Sequence, residues 1–196
     1  ISGLVGSEMC IRDSLHADQI QGFFEKPVDH LFASTIFVPH IKSLNLDNLT
    51  IASPDMGGSK RAYAYSRFLE SDVVICYKQR KKANLISHME LIGDVEGKNV
   101  VLVDDMVDTA GTLAHAANLM IEKGAKSVRA VCTHALLSRD AYTKIDESKL
   151  EQLIVTDSIN NIKKNSKIKV LSCAELFAST MYNVHHNKSI SSKFIV

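Results

Sequence analysis

The sequence predicts a doubly wound α/β domain with a mostly parallel sheet. Three observations carry this reading. After residue 30, short β-rich runs alternate with amphipathic helical stretches, the pattern that strand–helix–strand crossovers impose. "NVVLVDD" (99–105) holds four consecutive apolar residues, Val100 to Val103, as a strand buried on both faces requires. Turn-forming stretches, "PDMGG" (54–58) and "DTAGT" (108–112), each follow a strand and lead into a helix.

The elements follow in order. "LTIAS" (49–53) is a buried strand, and residues 59–70 carry Ala62, Tyr65, Phe68 and Leu69 at helical spacing. "DVVICY" (72–77) is a second strand. Residues 78–98, basic at first and then "ISHMELIGDVEGK", read as a mobile loop and β-hairpin. The third strand, 99–105, is followed by a helix over 112–123 with Leu113, Ala116, Ala117, Met120 and Ile121 on one face. Gly124 stands where a left-handed C-cap is expected. "SVRAVCTHA" (127–135), "QLIVTDS" (152–158) and "IKVLS" (168–172) are further strands, and a last helix covers about 173–186. Residues 1–14, "ISGLVGSEMCIRDS", show neither strand alternation nor a helical stripe. The chain opens on Ile1, so it reads as a fragment or processed product whose leader is foreign to the fold.

Bulk composition narrows the function classes. With 45% hydrophobic residues in 196, the chain can bury a proper core. A net charge of +1 supplies no global field for nucleic acid or an acidic membrane. Cys10, Cys76, Cys132 and Cys173 form no CxxC pair and no zinc spacing, and reduced buried thiols suit a cytoplasmic location. No apolar run is long enough to span a bilayer.

The chemistry gathers at "VVLVDDMVDTAGTL" (100–113). Asp104 and Asp105 end a buried strand, where unpaired carboxylates cost desolvation. Asp108, Thr109, Ala110, Gly111 and Thr112 then form a small, hydroxylated loop opening a helix, whose first amides and dipole favour an anion. Taken alone, "DTAGT" is better explained by a helix N-cap than by an anion site. With the acids ahead of it, the stretch suits one ligand carrying both an anion and vicinal hydroxyls.

"VVLVDDMVDTAGT" resembles the ribose-phosphate motif shared by type I phosphoribosyltransferases and ribose-phosphate pyrophosphokinases (PRPP synthetases). Two stretches favour the synthetases: "LHADQIQGFFEKPVDHL" (15–31) and "YKQRKKAN" (77–84), the latter similar to their catalytic loop with a Lys-x-Arg core. "SPDMGGSKRA" (53–62) and "IGDVEGKNVVLVDDM" (92–106) also match in order and spacing. The resemblance implies a phosphoribosyltransferase type I fold with a flexible hairpin loop. It implies transfer of the diphosphate of ATP to the C1 hydroxyl of ribose 5-phosphate, giving PRPP and AMP, with Mg²⁺. Lys78 and Arg80 would be catalytic, Arg80 also holding substrate phosphate. Asp104 and Asp105 would face the ribose hydroxyls, and Asp108 to Thr112 the 5-phosphate. His16 and Asp55 would contact metal and ATP; the family carries an acid where Ser14 stands.

On the same resemblance, residues 15–30 are the end of a first domain, 31–180 a second domain binding ribose 5-phosphate, and 181–196 a tail. A homo-oligomer, commonly a hexamer, is implied, with no nucleic-acid or membrane partner. His134 is left without a role, and His185 and His186 read as surface residues of a helix end. A PRPP-consuming transferase and a non-catalytic, synthetase-associated regulatory subunit are the alternatives.

Overall fold

The computed structural model describes residues 10–79, 88–160 and 162–193. The described elements are β1 (Cys10–Asp13), β2 (Val28–Leu31), α1 (Ser34–Ser43), β3 (Leu49–Ser53), α2 (Ser59–Leu69), β4 (Asp72–Gln79) and β5 (His88–Ile92). They continue with β6 (Asn99–Val107), α3 (Gly111–Glu122), β7 (Ser127–Ala135), α4 (Ala141–Glu147), β8 (Gln152–Thr156), β9 (Ile168–Leu171) and α5 (Ala174–His185).

Seven strands form one sheet in the order β5-β4-β3-β6-β7-β8-β9. Every pairing is parallel except β4 with β5, which is the expected hairpin. From β3 the chain moves outward through α2 to β4; from β6 it moves the opposite way through α3 to β7. The β3/β6 boundary is therefore the switch point, where a crevice opens beyond the carboxyl ends of the strands.

Two apolar cores explain why β6 is an unbroken hydrophobic run. Val100 and Leu102 pack in the core that includes Leu113, Ala116 and Met120 of α3. Val101 and Val103 pack on the other side, with Phe37 and Ile41 of α1 and Ala62 and Tyr65 of α2. All four are fully buried, each contributing roughly 1.5–3 kcal/mol of transfer free energy. The helix α3 ends as its sequence predicts. Gly124 takes φ +90, and the Ala125 amide reaches back to the Met120 carbonyl at 3.0 Å.

The expectation that residues 1–14 contain no strand is corrected over 10–13. β1 pairs in parallel with β2 as a separate two-stranded sheet, with Cys10 opposite Val28. Ile11 is buried there with Leu31 and with Leu176 of α5. Only one residue of β1 is a large apolar one, too weak a pattern to read. Two helices were also not foreseen. α1 contains Pro39, which reads as a breaker, and α4 has only 7 residues. β6 runs to Val107, two residues past its expected end.

A candidate sugar-phosphate site at the switch point

β3 stays paired with β6 only as far as Ala52 opposite Leu102. Beyond that register β6 continues alone on this side, and its next polar residues, Asp104 and Asp105, face the crevice. A cleft of about 440 Å³ opens there, lined by His16, Asp55, Gly58, Arg61, Asp104, Asp105 and the whole stretch Asp108–Thr112. The cleft thus gathers the metal and ribose-phosphate candidates that lie among the described residues, from His16 to Thr112.

The acid pair is held by a cation that sequence reasoning did not single out. Arg61, on the first turn of α2, reaches Asp104 Oδ1 with Nη1 at 3.2 Å and Asp105 Oδ2 with Nη2 at 3.1 Å. His16 Nδ1 donates to the same Asp105 Oδ2 at 2.7 Å, and the Asp105 amide donates to Asp104 Oδ1 at 2.9 Å. The available signal was "GGSKR" directly after a strand-end turn, which puts a cation at a helix start facing the β6 acids.

The two carboxyls do not titrate alike. Burial first, then its contact with Asp105, pushes the Asp104 carboxyl up to about 7. Burial also disfavours charge on Asp105, but the Arg61 guanidinium and the His16 ring outweigh it and hold that carboxyl below the usual carboxylate range. Asp105 is the anchored anion, and Asp104 is the member that takes up the shared proton.

The loop after β6 carries no conventional helix cap. Ala110 precedes α3 in the left-handed region at φ 56, and no side chain caps the helix among the described residues. The capping alternative for "DTAGT" is set aside by this geometry. Gly111, Thr112 and Leu113, the first residues of α3, line the cleft, and helix-start amides without an intrahelical partner favour an anion there. Asp108 is oriented by the Ser138 hydroxyl, which donates to its Oδ1, and the Ser138 amide donates to the Asp108 carbonyl at 3.0 Å. Leu137 and Arg139, on either side of Ser138, both take positive φ, so the loop after β7 is bent to make this latch.

Asp55 is exposed, at the carboxyl end of β3, and its Oδ1 accepts from the Gly58 amide at 3.0 Å. Among the described residues, no group of three metal-ligating side chains comes together. A metal caged by protein alone does not fit. A Mg²⁺ ion that keeps waters and enters on phosphate oxygens needs only one or two protein groups. Asp55 Oδ2, an oxygen donor, suits that requirement, while the cleft-lining His16 offers nitrogen, the less suited donor. Ser14 adds no acid: its hydroxyl accepts from the Ala33 amide at 2.9 Å.

Lys78 stands in β4 opposite Met89, three residues past the last β3–β4 pair, Ser53 with Ile75, so its backbone extends beyond the carboxyl end of β3. Arg80 lies outside the described residues. His134 acquires a structural role: its Nε2 donates to the Ser14 carbonyl at 2.7 Å, and its Nδ1 meets the Ser158 hydroxyl at 2.9 Å. This tie fastens the segment carrying His16 to the main sheet. His185 and His186 are exposed at the end of α5, as expected. The cysteines are free thiols; burial pushes the Cys76 thiol up to about 12 and Cys132 also upward, so both are inert core residues.

The model of the family described as phosphoribosyl synthetase-associated domain matches residues 52–195. The curated ribose-phosphate pyrophosphokinase of Porphyromonas gingivalis is 50% identical over 190 residues, covering 96% of this chain and 61% of that protein. The one from Wolinella succinogenes is 50% identical over 190 residues, covering 97% and 62%. Among solved structures, phosphoribosylpyrophosphate synthetase from Mycobacterium smegmatis matches with a TM-score of 0.83 and 34% identity, over 93% of this chain and 60% of that one. The chain spans about three fifths of the length of these relatives. Its fold, its acid pair and a family match across most of its length lead to one conclusion: the chain belongs to the phosphoribosyl synthetase-associated domain family.

Proposed function

We propose that this chain is the ribose 5-phosphate-binding part of a ribose-phosphate diphosphokinase, which transfers the diphosphate of ATP to the C1 hydroxyl of ribose 5-phosphate. The observation that carries the reading is the single cleft joining a carboxylate pair to an uncapped helix start. Carboxylates accept from vicinal hydroxyls, and the amides of α3 with the Thr109 and Thr112 hydroxyls donate to a phosphate. The same ligand must therefore present hydroxyls and an anion a few ångströms apart, which a pentose 5-phosphate does.

In the proposed reaction the C1 hydroxyl oxygen bonds to the β-phosphorus of ATP as the bond from that phosphorus to the α-phosphate oxygen breaks, leaving AMP. Asp104 and Asp105 orient the ring so that C1 points out of the cleft, and the Asp108–Thr112 loop fixes the far end. Lys78 and Arg80, by family resemblance, stabilise the transferring diphosphoryl group, a point charge and a planar fork placed where negative charge develops. Asp55 and His16 would hold Mg²⁺, which supplies neutralisation of phosphate charge when bound. The same resemblance supports a cytoplasmic homo-oligomer. No helix among the described residues is long and apolar enough to cross a membrane.

The test is AMP release from ATP and ribose 5-phosphate, run on the 196-residue chain and on a version extended to the length of its relatives. The extended protein turns over and the 196-residue chain does so poorly. An extended protein that consumes PRPP, or one that binds ribose 5-phosphate without releasing AMP, overturns the assignment in favour of a transferase or a regulatory subunit.

A further inference from the structure

Arg61 touches both acids, yet it uses only one oxygen of each. Its two contacts go to Asp104 Oδ1 and Asp105 Oδ2, the oxygens that also accept from the Asp105 amide and from His16. Apart from the hydrogen bond between the two carboxyls themselves, no donor among the described residues is placed on Asp104 Oδ2 or Asp105 Oδ1, and neither is an orphaned buried atom. This arrangement runs against two ordinary tendencies. Successive residues of a strand point to opposite faces, and two adjacent carboxylates repel. One guanidinium fork overcomes both, because its paired N–H groups match two acceptors at once.

The side chain has been given room to do this. A Cβ on Gly58 would lie 3.6 Å from Arg61 Nη1 and 2.6 Å from Ser53 Oγ, so the bare backbone at this turn leaves the path of the guanidinium open. Arg61 also lines the neighbouring cavity formed with Leu15, His16, Phe32 and Tyr65, which places it as the wall between two spaces.

We propose that Arg61 is a positioning residue for sugar recognition: it pins one oxygen of Asp104 and one of Asp105 and so presents the remaining pair as hydrogen-bonding partners for two adjacent hydroxyls. The proposal rests on the ribose 5-phosphate reading and adds to it a determinant of diol specificity. On this account Arg61 makes the site prefer ribose 5-phosphate over its 2-deoxy analogue, while contributing nothing to the phosphate loop.

The test is calorimetric titration of the 196-residue chain with ribose 5-phosphate, 2-deoxyribose 5-phosphate and inorganic phosphate, for the wild type, Arg61→Gln and Arg61→Lys. Arg61→Gln lowers ribose 5-phosphate affinity roughly tenfold, the scale of one charge-assisted hydrogen bond, lowers that of the 2-deoxy analogue by less, and leaves inorganic phosphate unchanged. Arg61→Lys, a point charge able to hold one acid at a time, recovers part of the preference. An Arg61→Gln protein that keeps its preference for the diol overturns the proposal. So does a parallel loss of all three ligands, which would make Arg61 a folding brace. If the wild type binds ribose 5-phosphate no better than phosphate, the sugar-phosphate reading itself fails. The carboxyl-carbon NMR signals of Asp104 and Asp105 then decide: movement of both in Arg61→Gln, with the remaining spectrum retained, supports the pinning, and unmoved signals refute it.

Discussion

Gly58→Ala is a one-carbon change that the structure expects to be expensive. The backbone at Gly58 is ordinary, φ −83, so no conformational penalty applies to alanine there. The penalty is steric. The added Cβ would stand 2.6 Å from Ser53 Oγ, a fully buried hydroxyl that donates to the Asp55 carbonyl at 2.6 Å. To admit the methyl, Ser53 must give up that bond or the turn must shift. Overpacking costs about 1–3 kcal/mol and the lost hydrogen bond about 1 kcal/mol, so Gly58→Ala should destabilise the chain by about 3 kcal/mol. Ser53→Ala alone should cost only the bond, about 1 kcal/mol. In the double variant the obstructing oxygen is gone, and every other atom near the new Cβ is at 3.6 Å or beyond. The pair should therefore cost about as much as Ser53→Ala alone, a coupling of about 3 kcal/mol. Urea unfolding of the four proteins measures this cycle. Additive costs, or a Gly58→Ala protein within about 0.5 kcal/mol of the parent, would refute the packing described for this turn.

Two further outcomes follow from the site. Asp104 keeps its proton in the folded protein up to about pH 7, against the usual 3.8. Its contribution to stability is therefore full below about pH 4 and is lost as pH rises through about 7. Asp105, with its carboxyl held low, acts oppositely, losing its contribution as pH falls into the acid range. Melting temperature should decline between about pH 4 and 7, and Asp104→Asn should flatten that decline; an unchanged slope in the variant contradicts the assignment. In a protein extended to the length of its relatives, Lys78→Ala should reduce AMP release by about 10²–10³, the scale of removing one stabiliser of developing charge. A retained rate would remove Lys78 from the mechanism.

Much of the fold was legible because its signals are local. The run Val100–Val103 announces a strand covered on both faces, and Gly124 marks the end of α3 within two residues of its last turn. The acids and the loop of the candidate site lie within nine residues of one another, so their association needs no tertiary information. What was hidden depends on distant partners. Arg61 meets Asp104 across 43 positions, and nothing near Arg61 in sequence distinguishes it from Lys60. His134 is a tie to Ser14 across 120 positions, which no window around either residue could show. β1 exists because β2 and α5 cover Ile11, not because its own four residues favour a strand. The Asp108 latch needs the strained turn at Leu137 and Arg139, neither of them a residue type associated with positive φ.

The most direct test is a two-dimensional amide NMR titration of the 196-residue chain with ribose 5-phosphate. Saturable shifts are expected at the amides of Thr109–Leu113, together with Asp104, Asp105 and Arg61, and shifts from inorganic phosphate are expected at the loop alone. Shifts centred on another surface, or none at the start of α3, would contradict the sugar-phosphate reading.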